Sequence, residues 1–328
     1  MTAEDIKNGQ ILQVNGLKKY FPIRRGFFQK TTGWVKAVDK VDMTINTGKT
    51  LGLVGESGCG KSTVARLLLR LIDPDEGVIR FNGQDISQLS EKEMKPLRNQ
   101  IQIVFQDPYG SLNPRMTVGQ TIGEGLRTLG LNQHGRFQNR IGELLEMVGL
   151  SPEFAGRYPH EFSGGQRQRV GIARALSVEP SLIICDEPVS ALDVSIQAQI
   201  INLLKDLQDR LNLSYLFISH DLNVVGYLCD RVAVMYKGRI VEEAPSTVLF
   251  DEPRHPYTHT LLSAIPDPRP DASGLLNIPN NWEDIGLEPP DGCGFSAICP
   301  DRTDACRNAD DQWVQVGEGH YVRCWKAS

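Results

Sequence analysis

The segment TLGLVGESGCGKST, residues 50–63, constrains this chain more than any other. A short apolar run leads into a glycine-rich turn, and TVARLLLRLI follows at helical spacing until Pro74 ends it, so the unit reads as strand, loop and helix. Gly55, Glu56, Ser57, Gly58, Cys59, Gly60, Lys61, Ser62 and Thr63 fit the pattern G-x-x-x-x-G-K-[ST] in the context that pattern requires. Glycines let successive backbone N–H groups turn inward around a phosphate, which also faces the positive end of the helix dipole. Lys61 supplies a full charge to the outer phosphates, and the Ser62 hydroxyl is a candidate Mg²⁺ ligand. Cys59 reads as a small filler or, at a helix N-terminus, as an activated thiol.

Around this unit the chain alternates between strand and helix patterns. Residues 10–23 and 34–46 alternate apolar and polar side chains, as half-buried strands do, and a basic, glycine-containing link joins them. Residues 78–82 and 101–105 are further strand candidates, while 116–160 are mostly amphipathic at helical spacing and suggest a helical insert. From Ser163 onward GQRQRVGIARALS reads as a helix, SLIICDEP as a buried strand, SIQAQIINLLKDLQDRL as a helix and SYLFISH as another buried strand. Such alternation implies a parallel sheet covered by helices.

Leu182-Ile183-Ile184-Cys185-Asp186-Glu187-Pro188 is an apolar strand ending in two carboxylates, an expensive arrangement unless the acids have work to do. Asp186 is placed to hold Mg²⁺ and Glu187, just beyond it, to polarise an attacking water. Before them stands Phe162-Ser163-Gly164-Gly165-Gln166, followed by the basic start Arg167-Gln168-Arg169. At these residues the chain resembles the nucleotide-binding subunits of ABC transporters, whose signature is LSGGQ, with Phe162 in place of leucine. Gln106 in VFQDP, Ser190-Ala191-Leu192-Asp193 and His220 in SHD follow the order of that family's Q-loop, D-loop and switch histidine.

The resemblance covers residues 10–250 and implies an α/β P-loop NTPase of the ABC ATPase type, with an antiparallel β subdomain and a helical subdomain at about 107–165. It implies that Ser163, Gly164, Gly165 and Gln166 cap the γ-phosphate of ATP bound on an opposite subunit, with Asp193 nearby, so that nucleotide closes a dimer. Each dipole contact of this kind contributes only about 0.3–2 kcal/mol, so several must act together. By the same resemblance Gln106 senses Mg²⁺ and links the helical insert to the core, and His220 contacts the γ-phosphate. Phe21 or Tyr20 stacks on adenine, the alignment favouring Phe21.

Residues 251–328 form a second region, a C-terminal extension with nine of the 19 prolines and no long periodic segment, which reads as a loop-rich appendage. It holds thirteen acidic and six basic side chains, so it carries more negative charge than the whole chain's net −5. Arg254-His255-Pro256-Tyr257-Thr258 resembles a motif in the ATPase subunits of dipeptide/oligopeptide importers. Cys293, Cys299, Cys306 and Cys324 crowd together as C-x5-C-x6-C-x17-C, which in a reducing compartment reads as metal ligation before disulfides. Four thiolates suit a [4Fe–4S] cluster, which relatives of this type resemble in carrying; Zn²⁺ is the alternative, and unligated thiols or disulfides the third reading. A structural staple is the expected role, because a proline-rich segment of this size lacks a large core.

The hydrophobic share, 40%, is that of a globular protein with a sizeable core, and the net charge of −5 gives no sign of a nucleic-acid binder. No window of about 18 apolar residues occurs and the start MTAEDIKNGQ is not a leader, so a cytosolic chain is expected. The family resemblance then implies an ATP-hydrolysing motor of a di- or oligopeptide importer, peripheral at the cytoplasmic face of the inner membrane. Its partners would be a second ATPase subunit, self or paralogue, two permease subunits and an extracytoplasmic substrate-binding protein. Docking on the permeases would use a groove formed by the 107–160 insert and Gln106. A soluble ABC ATPase of DNA repair or translation is the competing reading. The short stretch between Lys61 and Ser163 leaves no room for a long coiled-coil arm, and neither a second cassette nor a basic stripe is present.

Overall fold

The computed structural model describes residues 9–26, 30–107, 109–130, 134–263, 293–307, 313–324 and 326. Strands β1 (Gln10–Arg25) and β2 (Lys30–Asn46) pair antiparallel and run longer than their alternation predicts. Next come β3 (Thr50–Val54) and α1 (Lys61–Leu68); α1 stops short of the predicted end because Arg70 adopts a left-handed conformation, φ 51°, ahead of Pro74. The strands β4 (Glu76–Phe81) and β5 (Gln84–Asp85) return to the first sheet, giving the order β2-β1-β4-β5. A short helix, α2 (Glu91–Arg98), leads into β6 (Ile101–Val104).

The predicted helical insert contains α3 (Val118–Thr128), α4 (His134–Met147) and two 3₁₀ turns before α5 (Gly164–Leu176). Then follow β7 (Leu182–Asp186), α6 (Val194–Leu211), β8 (Ser214–Ser219), α7 (Leu222–Leu228), β9 (Arg231–Tyr236) and β10 (Arg239–Pro245). Strands β9, β3, β8, β7 and β6 lie side by side in parallel. All residues of β3 and β8 are buried, which is why they read as unbroken apolar runs: both faces of the sheet are covered. The C-terminal ends of β3, β7 and β8 carry the P-loop, the Asp186-Glu187 pair and His220 to one edge, where ligands of open α/β sheets bind. Among the described residues no helix is long and apolar enough to cross a membrane.

The tail departs from the expectation of a loop-rich appendage. After α8 (Ser246–Asp251) and α9 (Pro256–Ser263), two strands, β11 (Val314–Gly317) and β12 (His320–Val322), extend the main sheet, β12 pairing with β10. They are three or four residues long, too short to carry a readable period, and they form because β10 offers an edge. Beneath the joint lies Glu242, fully buried. Its carboxylate accepts the Arg254 N–H at 2.7 Å, the His255 N–H at 2.9 Å and the His320 Nε2–H at 2.7 Å. One buried acid thus fastens two separate stretches of the tail to the core. Burial, with a smaller effect of His259, lowers the His255 pKa to about 3, which keeps its imidazole neutral.

Candidate nucleotide site

The P-loop bends between β3 and α1 because its glycines take positions that other residues cannot. At Gly55, φ 150°, a Cβ would meet the Met235 carbonyl oxygen at 2.1 Å; at Gly60, φ 113°, it would meet that of Ala37 at 2.1 Å. The loop is therefore pressed against β9 and β2, and its far side opens on a cavity of about 530 Å³. Ser57, Gly58, Cys59, Gly60, Lys61, Ser62 and Thr63 line this cavity together with Gln106 and Glu187. Lys61 is buried and its ammonium donates to the Gly55 and Glu56 carbonyls at 2.7 and 2.8 Å. Burial pushes the Cys59 thiol up despite the Lys61 charge beside it, so it is the small filler and not an activated nucleophile.

Ser62 Oγ donates to Asp186 Oδ1 at 3.1 Å. Burial, helped by the neighbouring Glu187 charge, raises the Asp186 carboxyl above its usual range even though Ser62, Arg66 and Lys61 oppose the change. Two adjacent acids beside a hydroxyl make a donor set of the hard oxygen kind that suits Mg²⁺. Glu187 has a left-handed backbone, φ 49°, fixed by its N–H donating to the Ile218 carbonyl at 3.0 Å. This turns its carboxylate toward Gln106, whose Nε2–H donates to Oε2 at 3.0 Å, and toward His220, whose Nδ1 lies 3.3 Å from the same oxygen. Three side chains from three different strand ends thus meet at one carboxylate.

Ser163 caps α5: its hydroxyl accepts the Gln166 N–H at 3.3 Å while Gln166 Oε1 accepts the Ser163 N–H at 3.0 Å. A Cβ on Gly165 would meet Ile196 at 2.4 Å and one on Gly164 would meet Leu192 at 3.2 Å, so the signature glycines permit close packing on the start of α6. Asp193 caps that helix, accepting the Ile196 N–H at 3.0 Å, and this bond first among several lowers its carboxyl pKa. None of Ser163, Gly164, Gly165, Gln166 and Asp193 lines the P-loop cavity. Within one chain the structure brings together the P-loop, Asp186, Glu187, Gln106 and His220, while the signature residues are not among those that line the cavity.

The aromatic expectation shifts. Tyr20 donates its hydroxyl to Asp39 at 2.5 Å, and Arg239 donates to the other oxygen of that carboxylate at 2.6 and 2.8 Å, so Tyr20 serves a buried ion-pair network. Phe21 stands on β1 opposite Val35, and neither Tyr20 nor Phe21 is among the lining residues. Trp34 and Val35 of β2 form that wall, Trp34 with 60% of its surface exposed. Lys36 of β2 and Lys237, in the β9–β10 turn, join Lys61 as cations of the lining. Neither Trp34 nor Lys237 belongs to a motif. Exposed apolar bulk in a half-buried strand was the one signal that could have pointed to Trp34.

Three of the four tail cysteines lie near one another. Cys299 is near enough to Cys293 and Cys306 for their charges to act on it, the Cys293 N–H donates to the Cys306 carbonyl at 3.1 Å, and burial above all raises the Cys299 pKa to about 11. Among the described residues no three His, Cys, Asp or Glu side chains converge in a way that could hold a metal ion. Neither the [4Fe–4S] cluster nor Zn²⁺ expected from the spacing is thereby supported, and two stretches of the tail are fastened by Glu242.

Comparison with known proteins extends these observations. The family model for the ABC transporter ATP-binding domain matches residues 38–190, and that for the oligopeptide/dipeptide transporter C-terminal region matches residues 241–306. The chain is 52% identical over 324 residues to the oligopeptide transport ATP-binding protein AppF of Bacillus subtilis, covering 96% of both chains. Among solved structures it is similar to CbiO1 of Clostridium perfringens, part of an ABC transporter complex, at TM-score 0.64 and 30% identity, covering 74% of this chain and 92% of that one. It is also similar to the ATP-binding cassette MJ0796, a dimer bound to ADP and Pi, at TM-score 0.63 and 28% identity, covering 72% of this chain and 98% of that one.

Proposed function

Because the chain belongs to the ATP-binding subunits of ABC transporters, we propose that it is the ATP-hydrolysing motor of a peptide importer and that two such subunits clamp two ATP molecules between them. The observation that carries the clamp is the separation of parts: one chain presents a full phosphate cradle with its acid, amide and imidazole, and presents its signature elsewhere. The proposed closure of the cradle is by another subunit's signature. In this reading the P-loop N–H groups and Lys61 bind the phosphates, and Ser62 and Asp186 hold Mg²⁺, which neutralises charge on the outer phosphates. Glu187 takes the proton of the attacking water, while Gln106 and His220 fix its carboxylate; Gln106 is placed to sense Mg²⁺ and His220 to contact the γ-phosphate. Ser163, Gly164, Gly165 and Gln166 cap the partner subunit's γ-phosphate, beside Asp193.

Trp34 is the proposed stacking partner for adenine, in place of Phe21 or Tyr20. Base stacking on an aromatic ring contributes about 1–3 kcal/mol, so Trp34→Ala is expected to weaken MgATP binding about tenfold. Equilibrium titration of the full chain checks this, with Phe21→Ala expected to stay within about twofold of the parent. A loss in Phe21→Ala with Trp34→Ala unchanged would return the base to the Phe21 side.

The chain's docking on two permeases at the cytoplasmic membrane face, with residues 10–250 as the motor and 251–328 as an extension, completes the reading. Gln106 lies at the base of the insert next to the exposed side chains Phe105 and Tyr109, a surface suited to a coupling segment of the permease. An extracytoplasmic binding protein would deliver the peptide. The test is reconstitution of the chain with its permeases and a second ATPase in lipid vesicles. Peptide-loaded binding protein should raise the ATPase rate. A rate raised by DNA or ribosomes and untouched by peptide would favour the soluble class.

A further inference from the structure

The tail reaches the P-loop directly. Tyr257 is almost fully buried, and its hydroxyl accepts the Glu56 backbone N–H at 3.1 Å. That N–H belongs to the same peptide unit as the Gly55 carbonyl, which accepts the Lys61 ammonium at 2.7 Å. In a trans peptide the N–H and C=O point in opposite directions, so holding one aims the other. The unit follows a glycine at φ 150°, a residue with no side chain to steady it. It is therefore gripped from outside, by Tyr257 on one face and by Lys61 on the other.

The tail and the core together hold Tyr257 in place. Its ring lies 4.6 Å from that of Tyr236 on β9 and 5.6 Å from that of Phe295, which stands between Cys293 and Cys299. Its N–H donates to His255 Nδ1 at 3.0 Å, and the His255 N–H donates to the buried Glu242. Tyr257 does not line the nucleotide cavity.

We propose that Tyr257 is a positioning residue for nucleotide binding: its hydroxyl orients the Gly55–Glu56 peptide, and through it the P-loop and Lys61, so that the docked tail sets the affinity of the phosphate cradle. The proposal rests on the reading of this cavity as the nucleotide site. It accounts for the burial of a tyrosine in the Arg254-His255-Pro256-Tyr257-Thr258 motif, where the ring alone would have served packing.

Tyr257→Phe keeps the ring and removes only the acceptor. Binding of MgADP to the full chain is measured beside the parent, Lys61→Ala and Thr258→Ala, the last a buried neighbour whose hydroxyl has no hydrogen-bond partner. The loss of one hydrogen bond is expected to weaken MgADP binding about three- to tenfold in Tyr257→Phe, with Thr258→Ala unchanged. A merely structural hydroxyl would lower the unfolding midpoint without nucleotide and leave the affinity where it was, and that result overturns the proposal. So does an equal loss of affinity in Thr258→Ala, which would make the effect one of general loosening. Failure of the parent to bind MgADP, or of Lys61→Ala to weaken it, would instead remove the nucleotide-site reading beneath.

Discussion

Glu187→Gln is expected to slow ATP hydrolysis by a factor of about 10² or more while leaving ATP affinity close to that of the parent. The amide keeps the shape of the carboxylate and can still meet Gln106 and His220, which lie 3.0 and 3.3 Å from Glu187 Oε2. It cannot take a proton from water. The left-handed backbone at Glu187, held by the bond to Ile218, keeps the variant side chain in the same place, so the loss reports on the chemistry and not on folding. Single-turnover hydrolysis by the assembled ATPase measures it. A rate within a few-fold of the parent would move the general base to another residue.

Glu242→Ala is expected to cost about 3 kcal/mol or more of stability, because leaving each buried donor unsatisfied costs about 1–3 kcal/mol. The substitution strands His320 and the Arg254 and His255 N–H groups in a site with no access to water. Because those groups belong to two separate stretches of the tail, β12 and the segment before α9 should loosen together. Urea unfolding gives the energy, and proteolysis gives the place, with new cleavage expected after α8. A midpoint near that of the parent, with an uncleaved tail, would mean that the tail is held by other contacts.

The cradle was legible in the sequence because its chemistry is local. Gly55 to Thr63 are consecutive, and Asp186-Glu187 ends an apolar strand, so spacing alone placed the phosphate and magnesium groups. The meeting of Gln106, Glu187 and His220 was legible only through family resemblance, since nothing in their separate strands says that their ends converge. Trp34 was not read as a site residue because it belongs to no motif; it lines the cavity on β2, while Phe21 does not. The bond from Glu56 to Tyr257 spans 201 positions, beyond the reach of any local pattern. Helix α2 was missed for the opposite reason: EKEMKPLR buries only Met94 and carries Pro96, so it has no apolar stripe to read. The spacing of the tail cysteines points to metal ligation but says nothing of whether four thiolates converge on one point, which ligation requires.

Solution mass tests most directly whether one chain's cradle is closed by another's signature. Glu187→Gln, mixed with its paralogue where one is required, is measured by light scattering with and without saturating MgATP. The predicted result is a doubling of mass with MgATP and none without it, abolished when Ser163→Arg is added to every subunit. An unchanged monomer mass at saturating MgATP, with the paralogue and permeases supplied, would contradict the shared site.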